Sequence, residues 1–532
     1  MRRSVLNALL FLSLLAAAPA PAVAAGAESD RAPAVTGAVQ ATRNPATVRA
    51  HSSPQLALNP RNGELVIVES DVRGDLRCTV HISVDGGDSW FVGGDPMVSP
   101  YSECSQKAIN GPYATLTFDR EGILYVAFMA SSPEFANAAR LPIHIFLARS
   151  EDGGRTFQTS FVHKAPEPVI EDEGLHNNDR PMIAVDQQDP SKVYVAWMQR
   201  GAGQDKSKAL VAASEDSGTT FAPPVDLSDE RGGYQPRLAV DPDGTLHAIY
   251  PIGTSGIPPG ADQFQVVRHV YHRASNDQGQ TWSQPVEVEQ GNAGFYGGRK
   301  WLLAADQNSG ALYAVWYGHP EPTFDARTQD LDIFLRASTD GGQTWSERRI
   351  VNDDADGALV NHYDPGISIA PNGRIDIAWY DFRNSPYPER FPATFAAPFN
   401  NGGYQDVYYT WSDDGGRTFH PNVRITDRII NREIGVWSNN IHSHMSLGIA
   451  STNDAVYFAW QDTRNGNYQN DSEDVYMASA RHGEPIRPTS TLIWALVTVG
   501  VSSLVLGMGL ALVLAWWATR RLDTRERPRS GS

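Results

Sequence analysis

The chain has 532 residues, ordinary hydrophobic and aromatic content, and a formal net charge of -17. That length exceeds one compact core unless the architecture repeats, and the composition excludes a disordered chain. The acidic balance argues against nucleic acid as a partner, because a phosphate backbone would be repelled.

Residues 1–25 read as an export signal. Arg2 and Arg3 open it, residues 6–18 are mostly apolar, and Ala22-Val23-Ala24 supplies small residues for cleavage. Residues 26–50 form an N-terminal segment, and residues 37–43 within it are expected to supply a strand that closes a ring. Cys78 and Cys104 are the chain's two cysteines. Outside the cell they are expected to form a disulfide, two free thiols being the alternative.

Residues 51–481 repeat. A short apolar strand starts near Gln55, Thr115, Met182, Arg237, Leu302, Gly366 and Ser446. A second strand follows, ending for example at Trp197, Trp316, Trp379 and Trp460. Both alternate and are rich in Val, Ile, Tyr, Trp and Phe, which suits a pleated, half-buried surface. A third strand leads into a polar turn that occurs six times: residues 83–90, 150–157, 214–221, 275–282, 338–345 and 412–419. All six read Ser-x-Asp-x-Gly-x-Ser/Thr-Trp/Phe. The aspartates are Asp85, Asp152, Asp216, Asp277, Asp340 and Asp414. Each can accept hydrogen bonds from its own turn, the Gly permits a positive φ, and the aromatic plugs the gap between strands. Four antiparallel strands at this period predict an all-β propeller of seven four-stranded blades, six being the alternative. The seventh repeat lacks the polar turn and the fourth strand.

Residues 482–490 read as a linker and residues 491–518 as a transmembrane helix. That helix is long enough to cross about 30 Å of hydrocarbon. Trp494, Trp516 and Trp517 lie near its ends, and Arg520, Arg521, Arg525, Arg527 and Arg529 sit in the tail, residues 519–532. Positive flanks stay in the cytoplasm, so the repeats are expected outside the cell.

The six turns resemble the Asp-box repeat of the sialidase (neuraminidase) and BNR-repeat superfamily. The resemblance covers residues 51–481. It implies a propeller in which the Asp boxes are structural turns away from the ligand-binding face. A sialidase would carry three arginines on the substrate carboxylate, a Tyr nucleophile with its Glu, and an Asp acid/base. The first of those arginines opens the first blade in an Arg-Ile-Pro motif. Here that place reads Ser52-Ser53-Pro54, with Asp179-Arg180-Pro181 as an echo in another blade. No catalytic residue is therefore assigned.

Alternating strand directions sort the connections. The turn between strands one and two shares a face with the Asp box. The longer connections, residues 131–141, 164–178, 251–263, 318–330, 383–405 and 428–443, share the opposite face. Residues just before each innermost strand rim the channel there. The candidate ligand-binding residues are His51, Tyr113, Asp179, Arg180, Tyr234, Arg299, Lys300, Tyr363, Asp364 and His444. This polar, aromatic and charged mixture suits a sugar or a carboxylated ligand. Asp71-Val72-Arg73, Asp381-Phe382-Arg383 and Asp462-Thr463-Arg464 read as local salt bridges at loop bases. No cofactor and no metal are expected: His442 and His444 lack an evident third ligand, and residues 171–173 read as a solvated acidic loop.

The sequence thus points to a membrane-anchored recognition module for a glycan, peptide or envelope component. An exo-α-sialidase-like glycoside hydrolase with an atypical site is the alternative, and a scaffold for an envelope complex is the second.

Overall fold

The computed structural model describes residues 32–43, 50–71, 77–101, 114–131, 142–165, 177–200, 207–228, 232–252, 268–291, 301–318, 331–355, 360–386, 403–435 and 446–483. These residues form seven antiparallel sheets and one compact unit ending at His482. The innermost strands are His51–Leu58, Ala114–Phe118, Asn177–Val185, Arg237–Val240, Leu302–Ala305, His362–Ile369 and Gly448–Ser451. Each touches the next, and the seventh returns to the first, so the sheets are blades around one axis.

Strand alternation explains why blades stack. In blade two, Leu124, Val126 and Phe128 face blade one, while Tyr125, Ala127 and Met129 face blade three. Every pair of neighbouring blades encloses its own apolar cluster. Burying one side chain such as Phe128 contributes roughly 1.5–3 kcal/mol.

The ring closes across the chain's two ends. Blade seven has three strands of its own, Gly448–Ser451, Ala455–Asp462 and Asp474–Arg481. Ala34–Val35 and Val39–Gln40 pair with the last of these and cover its edge. The N-terminal contribution thus begins slightly ahead of residues 37–43. Thr42 Oγ1 adds a bond to Asp474 Oδ1 at 3.2 Å.

The Asp boxes hold one geometry. In blade one, Ser83 Oγ donates to Asp85 Oδ1 at 2.8 Å, and the Ser89 backbone N–H donates to the same oxygen at 2.9 Å. Gly87 N–H donates to Ser83 Oγ at 2.8 Å. Asp152, Asp216, Asp277, Asp340 and Asp414 repeat the pattern. These bonds hold Asp85, Asp152, Asp277, Asp340 and Asp414 at about 2, below the usual carboxylate range. A second repeated turn lies beside them. Asn59, Asp119, Asp186, Asp241 and Asp306 end the innermost strands, and each accepts the backbone N–H two residues on at 2.8–3.0 Å.

Among the described residues no helix is long and apolar enough to cross a membrane, and residues 491–518 lie outside them.

Candidate functional site

Three innermost strands start four or five residues earlier than their apolar pattern. The reason is a bulge. Pairing skips from Ser52 to Gln55, from Asp179 to Met182 and from Tyr363 to Gly366. The skipped residues include Ser53, Arg180 and Asp364, each with positive φ and each followed by proline. Gln235, ahead of Pro236 in blade four, has the same backbone at φ 40. A side-chain-bearing residue there carries strain, and bulges of this kind re-aim side chains. One end of the channel is thus built by four matching strained dipeptides.

Below this layer lies a cavity of about 280 Å³ touched by all seven blades. At one register its wall is Gln55, Thr115, Met182, Arg237, Leu302, Gly366 and Gly448. Arg180 joins it from the bulge layer. Two guanidinium side chains therefore share a wall of mixed polar and apolar surface, and none of the described lining residues is Asp or Glu. Gln235 stands two residues before Arg237. It is 2% exposed, and neither atom of its amide finds a hydrogen-bond partner.

The other rim candidates have mixed fates. Asp179 is buried and binds Arg200 Nη2 at 2.5 Å, with Arg180 Nε at 3.8 Å. Tyr234 is buried, and its N–H donates to Pro251 O. Asp364 is buried in the strained layer. Tyr363 does not reach the channel: it packs edge-on against Tyr317 and Phe382 between blades five and six. His51 turns into blade one, where Nδ1 meets Glu69 Oε1 at 3.0 Å and His81 Nε2 meets the same oxygen at 3.2 Å. Tyr113, Arg299, Lys300, His442, His444, Val72, Arg73 and Cys104 lie outside the described residues, whereas Cys78 opens a described strand.

Arg237, expected only as the start of a strand, was not among the rim candidates. It lies in the strand and also lines the cavity. The shared signal was available: a polar residue before proline at the head of four innermost strands.

The Asp-x-Arg segments of blades six and seven are architectural. Asp381 accepts Trp379 Nε1 at 2.9 Å and the Arg383 N–H at 2.8 Å. Asp462 does the same for Trp460 and Arg464 at 3.0 and 2.8 Å. Arg383 lies over Tyr408, and Arg464 over Tyr476, at 4.2 and 4.1 Å from the ring centres.

The BNR/Asp-box repeat family matches residues 336–347, the turn around Asp340. The chain is a sialidase-like Asp-box propeller. A sialidase of Micromonospora viridifaciens is 29% identical over 197 residues, or 35% of this chain and 28% of that protein. The chain therefore aligns with less than a third of that relative's length. Among solved structures, the phage phi92 endosialidase aligns with a TM-score of 0.45 at 11% identity, covering 86% of this chain and 70% of that one. A Penicillium chrysogenum alpha-L-arabinanase aligns with a TM-score of 0.42 at 14% identity, covering 66% and 94%.

Proposed function

We propose that this Asp-box propeller is a recognition module at the cell surface, binding a carboxylate-bearing glycan or peptide at its axial cavity. One observation carries the reading: Arg180 and Arg237 line a single cavity whose described lining residues include no Asp or Glu, Asp179 lying beside Arg180 but outside that lining. Guanidinium groups in such surroundings favour a planar anion, and apolar walls favour the carbon skeleton attached to it. The export signal, the anchor at residues 491–518 and a Cys78–Cys104 bridge belong to the same proposal, which places the propeller outside the membrane.

The test is binding of the full-length chain to an array of acidic and neutral glycans and peptides. Acidic ligands are expected to be retained. Arg180→Ala and Arg237→Ala are each expected to weaken retention about 10- to 100-fold, the value of a lost charged hydrogen bond. Equal retention of neutral ligands, or unchanged binding in both variants, overturns the reading.

The likeness to a protein named sialidase favours a second reading, a glycoside hydrolase with an atypical site. Turnover of a fluorogenic sialoside that disappears in both arginine variants would select it over recognition alone.

A further inference from the structure

The long-connection end of blades five and six gathers charge from four separate segments. His362 begins an innermost strand and is fully buried. Its Nδ1 lies 2.6 Å from Leu331 O, so that nitrogen carries the proton and donates. Its Nε2 faces Asp354 Oδ1 at 3.2 Å and Asp381 Oδ2 at 3.3 Å, yet makes no hydrogen bond of good geometry. Ligand atoms of Asp332, Asp354 and His362 all lie within 4.8 Å of one another.

With His362 neutral, a lone pair would point at carboxylates in a buried site. Asp354 and Asp381 would then both face an uncharged nitrogen, with the guanidinium of Arg383 on Asp381. Something positive must sit at Nε2: a proton or a metal ion. The surroundings are arranged as second shells are. Asn352 Nδ2 donates to both Asp332 Oδ1 and Asp354 Oδ1, at 2.8 and 2.7 Å, and holds them side by side. Trp379 Nε1 and Arg383 fix Asp381. The carbonyl of Leu331 fixes the tautomer of His362, as carbonyls do for metal-ligating imidazoles.

We propose that Asp332, Asp354 and His362, with Asp381 beside them, bind one divalent transition-metal cation. One imidazole nitrogen with carboxylate oxygens is a donor set suited to zinc. Zinc bonds of about 2.0–2.2 Å put tetrahedral ligand atoms about 3.3 Å apart. The two Nε2-to-carboxylate distances match that separation. The ion would tie the third strand of blade five to the first two strands of blade six. It would sit two residues from Asp364 in the strained channel layer.

The probe is Zn²⁺, titrated calorimetrically into full-length chain in detergent after chelator treatment. One equivalent is expected to bind, and to raise the thermal unfolding midpoint. Asp354→Asn and His362→Gln are each expected to weaken uptake at least tenfold. Asp413→Asn, at the exposed partner of His420, is expected to bind as wild type does. Absence of saturable uptake by the wild-type chain overturns the proposal and leaves a proton as the occupant. Unchanged uptake in the Asp354 and His362 variants overturns it too. The array binding described above is read separately, so either proposal can fail alone.

Discussion

Blade one and its six companions fill the same position in opposite ways. The position is in the second strand, one residue beyond the partner of Gln55, Thr115, Met182, Arg237, Leu302, Gly366 or Gly448. Six blades place an aromatic there: Phe128, Trp197, Tyr250, Trp316, Trp379 and Trp460. Blade one places Glu69, equally buried, with His51 and His81 bound to one of its oxygens. Repeated aromatics make a ring by packing, which needs no particular partner. A buried carboxylate holds only while its histidines stay charged or hydrogen-bonded. The odd blade therefore carries a condition that the others lack.

The largest expected effect breaks that condition. Burial alone would lower the His51 imidazole, but the charge and hydrogen bond of Glu69, with Asp71 and Asp474 nearby, raise it to about 9 from 6.5. Burial alone would raise Glu69, but His51 and His81 lower it to about 2 from 4.5. The stability owed to His51 is complete below about pH 6.5 and is lost as pH rises through about 9. The part owed to Glu69 is present above about pH 4.5 and is lost as pH falls through about 2. Glu69→Gln is expected to cost about 3–5 kcal/mol near pH 6 and to remove the alkaline decline. Denaturant unfolding at several pH values checks both. A variant as stable as wild type, or with the same alkaline slope, would show that Glu69 merely substitutes for an aromatic.

The next effect tests the aromatic side. Asp462 is buried and accepts from Trp460 Nε1, the Arg464 backbone N–H and the Arg464 guanidinium. Asp462→Ala strands all three donors, at an expected cost of about 2–3 kcal/mol. Unlike Glu69→Gln, it should keep the wild-type decline between about pH 6.5 and 9, because the His51–Glu69 pair is intact. Parallel pH series of the two variants separate a condition from a brace.

These contrasts mark what the sequence could disclose. The Asp boxes were legible because eight adjacent residues carry the whole turn. The blade count followed from the seven recurrences of the apolar first strand. The bulges were half-legible: Arg180-Pro181 and Ser53-Pro54 are visible in the text, but their positive φ is not. Tyr363 was misplaced because its neighbour Asp364 carries the backbone reversal, which turns Tyr363 into the core between blades. Glu69 with His51 and His81 was hidden. Its meaning depends on strand register, which sets three residues from three strands on one face. The group at His362 was hidden for the same reason, since its members are separated by up to about fifty residues of chain.

A smaller effect probes how blade one meets blade seven. A Cβ on Gly448 would lie 2.7 Å from Leu56 Cβ and 2.8 Å from the Leu56 backbone nitrogen. The adjacent innermost strands approach so closely that even a methyl group must push them apart. Gly448→Ala is expected to lose about 1–2 kcal/mol. Thermal unfolding at a pH where the Glu69 cluster is intact checks it. Gly448→Ala combined with Glu69→Gln is expected to fall short of additivity, because both loosen the seam beside Leu56 and Ile67. Full additivity would separate the seam from the cluster.

The smallest effect runs the other way and concerns a turn rather than a seam. The residue between Asp and Gly in each Asp box has positive φ in all six boxes. Four boxes place glycine there: Gly86, Gly153, Gly341 and Gly415. Blade four places Gln278, at φ 61, and its side-chain oxygen is buried without a partner. A non-glycine residue in the left-handed region carries roughly 1 kcal/mol of steric cost. Gln278→Gly removes that cost and the unpaired oxygen together, against the greater freedom of glycine in the unfolded chain. The net expectation is a gain of about 0.5 kcal/mol, read as a small rise in the unfolding midpoint. Ser217, its counterpart in blade three, donates from Oγ to Pro190 O at 3.4 Å, so Ser217→Gly should gain less. If Gln278→Gly destabilises instead, the glutamine is held by something other than its turn. Blade four would then join blade one among the blades that depart from the repeat for a reason.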